Sequence, residues 1–424
     1  MAEKPRRLGR VGSALSLLML ALIALGYGGA GGPQQHALAL EEASGTVTVW
    51  VGSWWQSQVP LVMQTWSRDN PKITLKMEPL PINGYLDKFI ASALGGNPPD
   101  VIDLDATWVS TAAAKGLLQP LDSSAQGLDI KDYAPAVWAA SHYKGVLYAL
   151  PNRASSTAFF YNKTVFDKAG AGYPTDGWTY NDLLQIARKV TIPGQFGIGV
   201  AADISDPSNV MDLLASVIWV YGGDFLTKDN TKAAINSPKS VQGLTFWAEL
   251  YTKYHVAPQG TPNFSTTRDL LPLFEANKLG MVLGSSNIVD EFSKHLELRW
   301  GAVLSPSKVN RSGGWTMGVP VGAKNAAAAR VFLLWLAKPE NLGKLMNRTP
   351  ARLSVYSAPP WNDPKFGIFT KALHDARSLP GVGDWFGIQT VIITEAQKIL
   401  VGQMSPQQAA DSMAKQIDVI LAKQ

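Results

Sequence analysis

The sequence predicts an α/β protein built on a mainly parallel sheet and divided into two to three domains. Strand-like segments with alternating apolar residues take turns with segments of helical period, which is the pattern of βαβ units. The chain has 424 residues, 46% hydrophobic and 17% charged. At roughly 150 residues per domain, that is enough to bury real cores. No repeat at a fixed period appears, so solenoids and propellers are not expected.

The elements follow in order. Residues 46–51 (TVTVWV) alternate as a buried strand does. Val59, Val62, Met63 and Trp66 then fall at helical spacing, and Asn70-Pro71 ends that helix. Ile73, Leu75 and Met77 alternate as a second strand. Tyr85, Leu86, Phe89, Ile90, Ala93 and Leu94 make an amphipathic helix closed by Gly95-Gly96. A short strand is expected at 101–104 and a short helix at 106–115. Further on, 156–161 reads as a strand, and 182–189 as a helix with Thr179 as its capping residue. Long helices are expected at 210–221 and 240–254, and strands at 279–283 and 300–304. A helix at 326–337 follows a loop, and the tail is helical at 391–400 and again from Pro406.

The N-terminus reads as a leader. Glu3 stands against Lys4, Arg6, Arg7 and Arg10, and residues 11–25 are an uncharged apolar run. That suits a signal peptide better than a membrane span, with Ala37-Leu38-Ala39 as the cleavage site and 1–39 removed. Ala30 is an alternative cut, and an uncleaved anchor is the competing reading. Removing 1–39 takes the chain from 38 basic and 33 acidic residues to 34 and 32. No Lys/Arg block remains, so no nucleic-acid partner is expected. No later stretch has 18 uninterrupted apolar residues, so the mature chain is expected to be soluble, and an exported chain without a lipid anchor is expected in the periplasm.

Composition limits the chemistry. The chain has no cysteine, which excludes disulfides, thiolate metal sites and a lipid-bearing cysteine. Five histidines, none in an H-E-x-x-H motif, make a metal site unexpected, and no cofactor is expected. His142, His255, His295 and His374 are isolated, and no serine lies in a G-x-S-x-G elbow. Gly194, Gly197 and Gly199 form no nucleotide loop. Glycoside hydrolysis needs only two carboxylates, so Asp103, Asp105 and Asp224 leave a secreted hydrolase as the alternative.

The positive signal is tryptophan placement. Trp54-Trp55 follow the first strand, and Trp108 follows Asp105 past another strand end. Trp219, Trp315 and Trp385 also lie beside loops with Gly or Asp. Ligands of open α/β sheets bind at the C-terminal ends of strands, and a flat ring suits the C–H face of a sugar. Trp50, Trp66, Trp247 and Trp335 lie inside strand or helix patterns and read as core.

Several stretches together resemble the extracellular solute-binding proteins of ABC importers, in the branch with maltose- and glycerol-3-phosphate-binding proteins. They are NPPDVI (97–102) with Asp105 and Trp108, AAAKGLLQPLD (112–122), and 143–170. TDGWTYNDLLQIARKVT (175–191), WVYGGDF (219–225) and SGGWTMGVPVGAKN (312–325) continue the likeness, as do 338–356 and 402–418. It covers essentially all of 46–423. The resemblance implies a two-lobed periplasmic binding protein fold with a hinge and an interlobe ligand cleft. Lobe one would be 44–150 plus 304–348, and lobe two 151–303 plus 349–424. It implies a monomer that closes on a mono- or oligosaccharide, or a sugar derivative, and docks on a membrane permease, with no bond made or broken.

Carried over by position, the resemblance places Trp54, Trp55, Asp105 and Trp108 at the cleft. Arg153 falls at the crossover between lobes. Gly222, Gly223 and Asp224 match a ligand-adjacent turn. Trp315, Arg352 and Trp385 match further contacts. Where the family often has G-P-W, this chain has Gly284-Ser285-Ser286-Asn287, so Asn287 is a polar candidate in place of a stacking ring. That departure argues against a linear maltodextrin. Arg153 with Arg352 would suit an anionic group, unless each pairs with a neighbouring Asp. Trp315→Ala is expected to weaken binding by roughly 1–3 kcal/mol with little change in fold.

Overall fold

The computed structural model describes residues 43–423. The expected leader and its cleavage site lie outside them. Among the described residues, no helix is long and apolar enough to cross a membrane.

Eleven strands are described: β1 Gly45–Gly52, β2 Ile73–Leu80, β3 Val101–Asp105, β4 His142–Tyr143, β5 Val146–Leu147, β6 Ala149–Asn162, β7 Phe196–Ile198, β8 Leu279–Ser285, β9 Trp300–Leu304, β10 Asn310–Gly318 and β11 Ala376–Arg377. The main sheet runs β2-β1-β3-β10-β6-β8-β7, with β11 on β10 and β9 on β6.

The first expected segments appear almost as read. Val47, Val49 and Val51 of β1 are fully buried, which is what their alternation requires. The helix Val59–Asp69 buries Val62 and Trp66, and Trp66 Nε1 donates to the Ile73 carbonyl at 2.8 Å. The helix Tyr85–Leu94 follows. Asp100 then pins three segments. Its carboxylate accepts from Thr48 N at 2.9 Å in β1 and from Asn325 N at 2.7 Å, just before the helix Ala326–Leu336. Thr179 caps the helix Tyr180–Val190 in a full capping box with Asp182. Trp66, Trp247 and Trp335 are buried as core, whereas Trp50 is only half-buried.

The sheet is mixed, which corrects the expectation of a mainly parallel one. β1 runs parallel to β2 and β3, and β7 to β8. β10, however, is antiparallel to both β3 and β6, and β6 is antiparallel to β8 and β9. The cause is the route of the chain. β6 and β10 are long strands running in opposite directions; β10 joins β3 to β6, and β6 carries on to β8 and β9. β6 spends Ala149–Ser156 on β10 and Thr157–Asn162 on β8 and β9.

β10 was not expected as a strand. All nine of its residues are buried, so no polar alternation marks it, and Gly313-Gly314 reads as a turn. Gly314 has φ +156°, and a Cβ there would lie 2.3 Å from the Arg153 carbonyl oxygen. Only glycine lets β10 approach β6 so closely. Similarly, the tail helix begins at Trp385 rather than 391, so Trp385 is a helical core residue.

Candidate functional site

A cleft of about 360 Å³ opens where β3, β6, β8 and β10 meet the helix Pro207–Val220. Its first wall is a row across three neighbouring strands. Trp315 on β10 sits opposite Asp105 on β3 and opposite Arg153 on β6. Directly opposed residues point to the same face, so the three side chains share one surface. The register that aligns Arg153 with Trp315 depends on a bulge. Trp315 pairs with Arg153 and Thr316 with Pro151, so Asn152 is the extra residue. Pro151, which has no N–H to give a ladder, is tolerated at such a place.

Aromatic packing makes this wall rigid. The Trp315 ring lies 4.1 Å from Trp54, 5.5 Å from Trp108 and 6.5 Å from Tyr85, each edge-on. The Arg153 guanidinium stands 5.6 Å over Trp54 and 5.4 Å over Trp315. Such contacts contribute about 0.5–1 kcal/mol or more each, and they hold the charge at a set position. Asp105 Oδ1 accepts from Thr107 N at 2.9 Å and from Thr107 Oγ1 at 2.7 Å, so that carboxylate is also oriented.

The second wall comes from the helix Pro207–Val220 and from the end of β8. Asp206 precedes that helix, and its carboxylate accepts from Thr266 N at 2.9 Å and Asn209 Nδ2 at 2.7 Å. Asp212, six residues further on, pairs with Arg311 Nε of β10 at 2.5 Å. After β8, Ser285 Oγ donates to Asn287 Oδ1, and Ser286 lies beside them. The lining is therefore two indole faces plus hydroxyl, amide, carboxylate and guanidinium groups, which suits a polar solute with an apolar face.

Five of the residues expected from the sequence line this cleft: Asp105, Trp108, Arg153, Asn287 and Trp315. Trp54 packs edge-on against Trp315 at 4.1 Å but does not itself line the cleft. The others lie outside it. Trp55 is buried, and its Nε1 donates to Asp103 Oδ2 at 3.0 Å. Arg352 is buried against Asp132, with Nε 2.7 Å from Oδ2, and stacks 4.6 Å over Tyr133. That is the pairing with a neighbouring Asp. Trp385 is fully buried and meets Phe225 edge-on at 5.9 Å. Asp224 lines a different cavity, where it pairs with Arg377 at 2.8 Å. Gly222 and Gly223 serve packing: a Cβ on Gly223 would lie 2.5 Å from Ser240 Cα, and Gly222 has φ +76°.

Sequence reasoning missed Asp206, Asp212, Arg311 and Arg348. The first had a readable signal, because Asp206-Pro207-Ser208 is an N-terminal helix pattern with Pro at the first turn. The other three carried none.

Beneath the aromatic wall lies Asp103, fully buried, with Asn152 Nδ2 donating to Oδ1 at 2.7 Å and Trp55 Nε1 to Oδ2. Burial raises its carboxyl to about 7, against the lowering effects of Asn152, Arg153 and Trp55. Burial likewise raises Asp206 to about 6. Both groups bind a proton more tightly folded than unfolded. Their stabilisation is thus full below about pH 4 and is lost as pH rises through 6 to 7. Urea unfolding is therefore expected to show stability falling between about pH 4 and 7 and levelling off above that, by up to on the order of 4 kcal/mol for Asp103. Asp103→Asn is expected to flatten the slope. An equal slope in wild type and variant would put the titration elsewhere.

Comparison with known proteins gives a consistent picture. Residues 52–342 match the family described as bacterial extracellular solute-binding protein. A binding protein of Brucella abortus is 27% identical over 406 residues, covering 91% of this chain and 96% of its own length. The mannitol-binding protein of Pseudomonas aeruginosa is 24% identical, over 82% of this chain and 86% of its own. The structure of an ABC transporter solute-binding protein from Thermotoga lettingae, bound with α-D-tagatose, superposes with a TM-score of 0.76 at 25% identity. That likeness covers 89% of this chain and 100% of the other. The fold is the two-lobed α/β fold expected from the sequence.

Proposed function

This chain belongs to the bacterial extracellular solute-binding proteins, and from that premise we propose that it captures a mono- or oligosaccharide, or a sugar derivative, in the cleft beside Trp315. The observation that carries this is the row of Asp105, Trp315 and Arg153 on one face, with Trp108 beside it and the Pro207–Val220 helix opposite. An indole face takes the C–H side of a ring, and the polar groups take its hydroxyls. The cleft volume is near the lower end of the roughly 300–1,000 Å³ of small-molecule sites, which favours a short solute.

On this reading the working act is closure of two lobes, 44–150 with 304–348 and 151–303 with 349–424. The solute must bind the closed state better than the open one, or no population shift follows. The monomer is exported to the periplasm by residues 1–39 and hands its solute to an ABC permease, and no nucleic acid takes part. The family consists of binding proteins, and we extend that to this chain as a binder that turns nothing over. The hydrolase alternative needs two carboxylates flanking one bond. Asp105 and Asp224 line different cavities, so that pair is not assembled.

The test is a thermal-shift screen of the purified chain against sugars, polyols and their acidic derivatives. A ligand at 1,000 times its Kd is expected to add about 4.1 kcal/mol to the folded state. A flat screen together with released reducing ends from oligosaccharides would overturn the proposal in favour of the enzyme.

A further inference from the structure

We propose that the captured solute carries an anionic group, a carboxylate or a phosphate, seated between Arg153 and Arg348. The inference rests on the solute-capture reading of this cleft and narrows its substrate class. The two arginines are brought together by backbone pairing. Ala154 N donates to the Thr349 carbonyl at 3.1 Å, Thr349 Oγ1 donates to the Ala154 carbonyl at 2.6 Å, and Arg153 bridges to Pro350. Both guanidiniums then line the same cleft.

Their partners are what is missing. Arg311 is neutralised by Asp212, Arg352 by Asp132 and Arg377 by Asp224. Neither Arg153 nor Arg348 forms an ion pair among the described residues. Burial lowers the proton affinity of both, and the neighbouring Arg348 lowers that of Arg153 further, to about 9, against a partial offset from Asp103 and Asp105; Asp290 offsets part of the effect on Arg348. Both remain cationic at neutral pH. Two adjacent, partly desolvated cations repel each other and have no directly paired acceptor among the described residues, a cost that a bound anion reduces.

The carboxylates of the cleft do not fill this role. Asp105 is held by Thr107, Asp206 by Thr266 and Asn209, and Asp212 by Arg311. The acids already have their donors, whereas among the described residues Arg153 and Arg348 feel Asp103, Asp105 and Asp290 only at a distance and pair with none of them. The N-terminus of the 14-residue helix Pro207–Val220 also faces the cleft, and its positive dipole end favours negative charge. With the indole faces of Trp108 and Trp315 nearby, the fitting class is an acidic sugar or polyol: a uronic acid or a phosphorylated sugar or polyol.

Calorimetric titration of the purified chain with matched pairs tests this. The pairs are glucuronate against glucose, galacturonate against galactose, glucose 6-phosphate against glucose, and glycerol 3-phosphate against glycerol. At least one acid is expected to bind ten times or more tighter than its neutral parent, and to weaken as salt rises. Carboxylate and phosphate arms separate the two sources of charge. Arg348→Gln is expected to weaken the acid by about 10- to 100-fold, the worth of a charged hydrogen bond, and to weaken the neutral parent at least about fivefold less than the acid. Arg153→Gln is the second variant, and the wild-type pairs need no variant at all. Neutral parents that bind as tightly as their acids overturn the anion and leave sugar capture standing. A panel in which no member of either class binds overturns both.

Discussion

Arg311→Met is expected to lower the free energy of unfolding by about 3–5 kcal/mol, the usual cost of breaking a buried ion pair from one side. The side chains of Arg311 and Asp212 are 8% and 5% exposed and pair at 2.5 Å. Removing the guanidinium leaves a carboxylate that burial already raises above its usual range. The loss is large because the Asp212 carboxylate has no other donor among the described residues, and because the pair ties the helix Pro207–Val220 to β10. The double variant Arg311→Met with Asp212→Leu removes both charges and is expected to recover most of the loss. Urea unfolding of the two variants decides the matter. A single variant within about 1 kcal/mol of wild type would mean the pair is effectively solvated.

Trp315→Ala is expected to cost about 3–5 kcal/mol of stability as well as solute affinity. This departs from the sequence expectation of little change in fold. Trp315 is 8% exposed and sits mid-strand in β10, with Trp54, Trp108, Tyr85 and Arg153 all packed on it. Truncation opens a cavity among rigid rings that cannot collapse into it. Binding is expected to weaken by roughly 1–3 kcal/mol. Trp315→Phe keeps an aromatic plane and separates the two effects. It is expected to retain most of the stability while still losing affinity. A Trp315→Ala chain as stable as wild type, with unaltered affinity for a solute that the screen identifies, would place Trp315 outside the working surface.

Legibility in the sequence tracked the local physics of each element. Val47, Val49 and Val51 are readable because one period places them on a buried face, and the helices at 59, 85, 180 and 406 are readable from spacing and caps. β10 left no such trace, since a strand buried on both faces has no alternation. Aromatic residues at apparent loop edges split into two kinds. Trp108 and Trp315 reach the cleft, whereas Trp55 and Trp385 turn into the core, and nothing in their immediate neighbours distinguishes them.

The sequence alone determined the α/β class, most helices and strands, the absence of cysteine chemistry and the family to which the chain belongs. Each of these depends on composition, short-range periodicity or runs of adjacent residues. Only the tertiary structure decided which charges are spent and which are free. Arg352 is paired with Asp132, a neighbour its sequence context does not show, while the pairing of 349 with 154 sets Arg348 beside Arg153. The reason is that an ionic group's role depends on what lies within a few ångströms of it. In a mixed sheet whose strands return from distant parts of the chain, those neighbours are set by register and not by sequence distance.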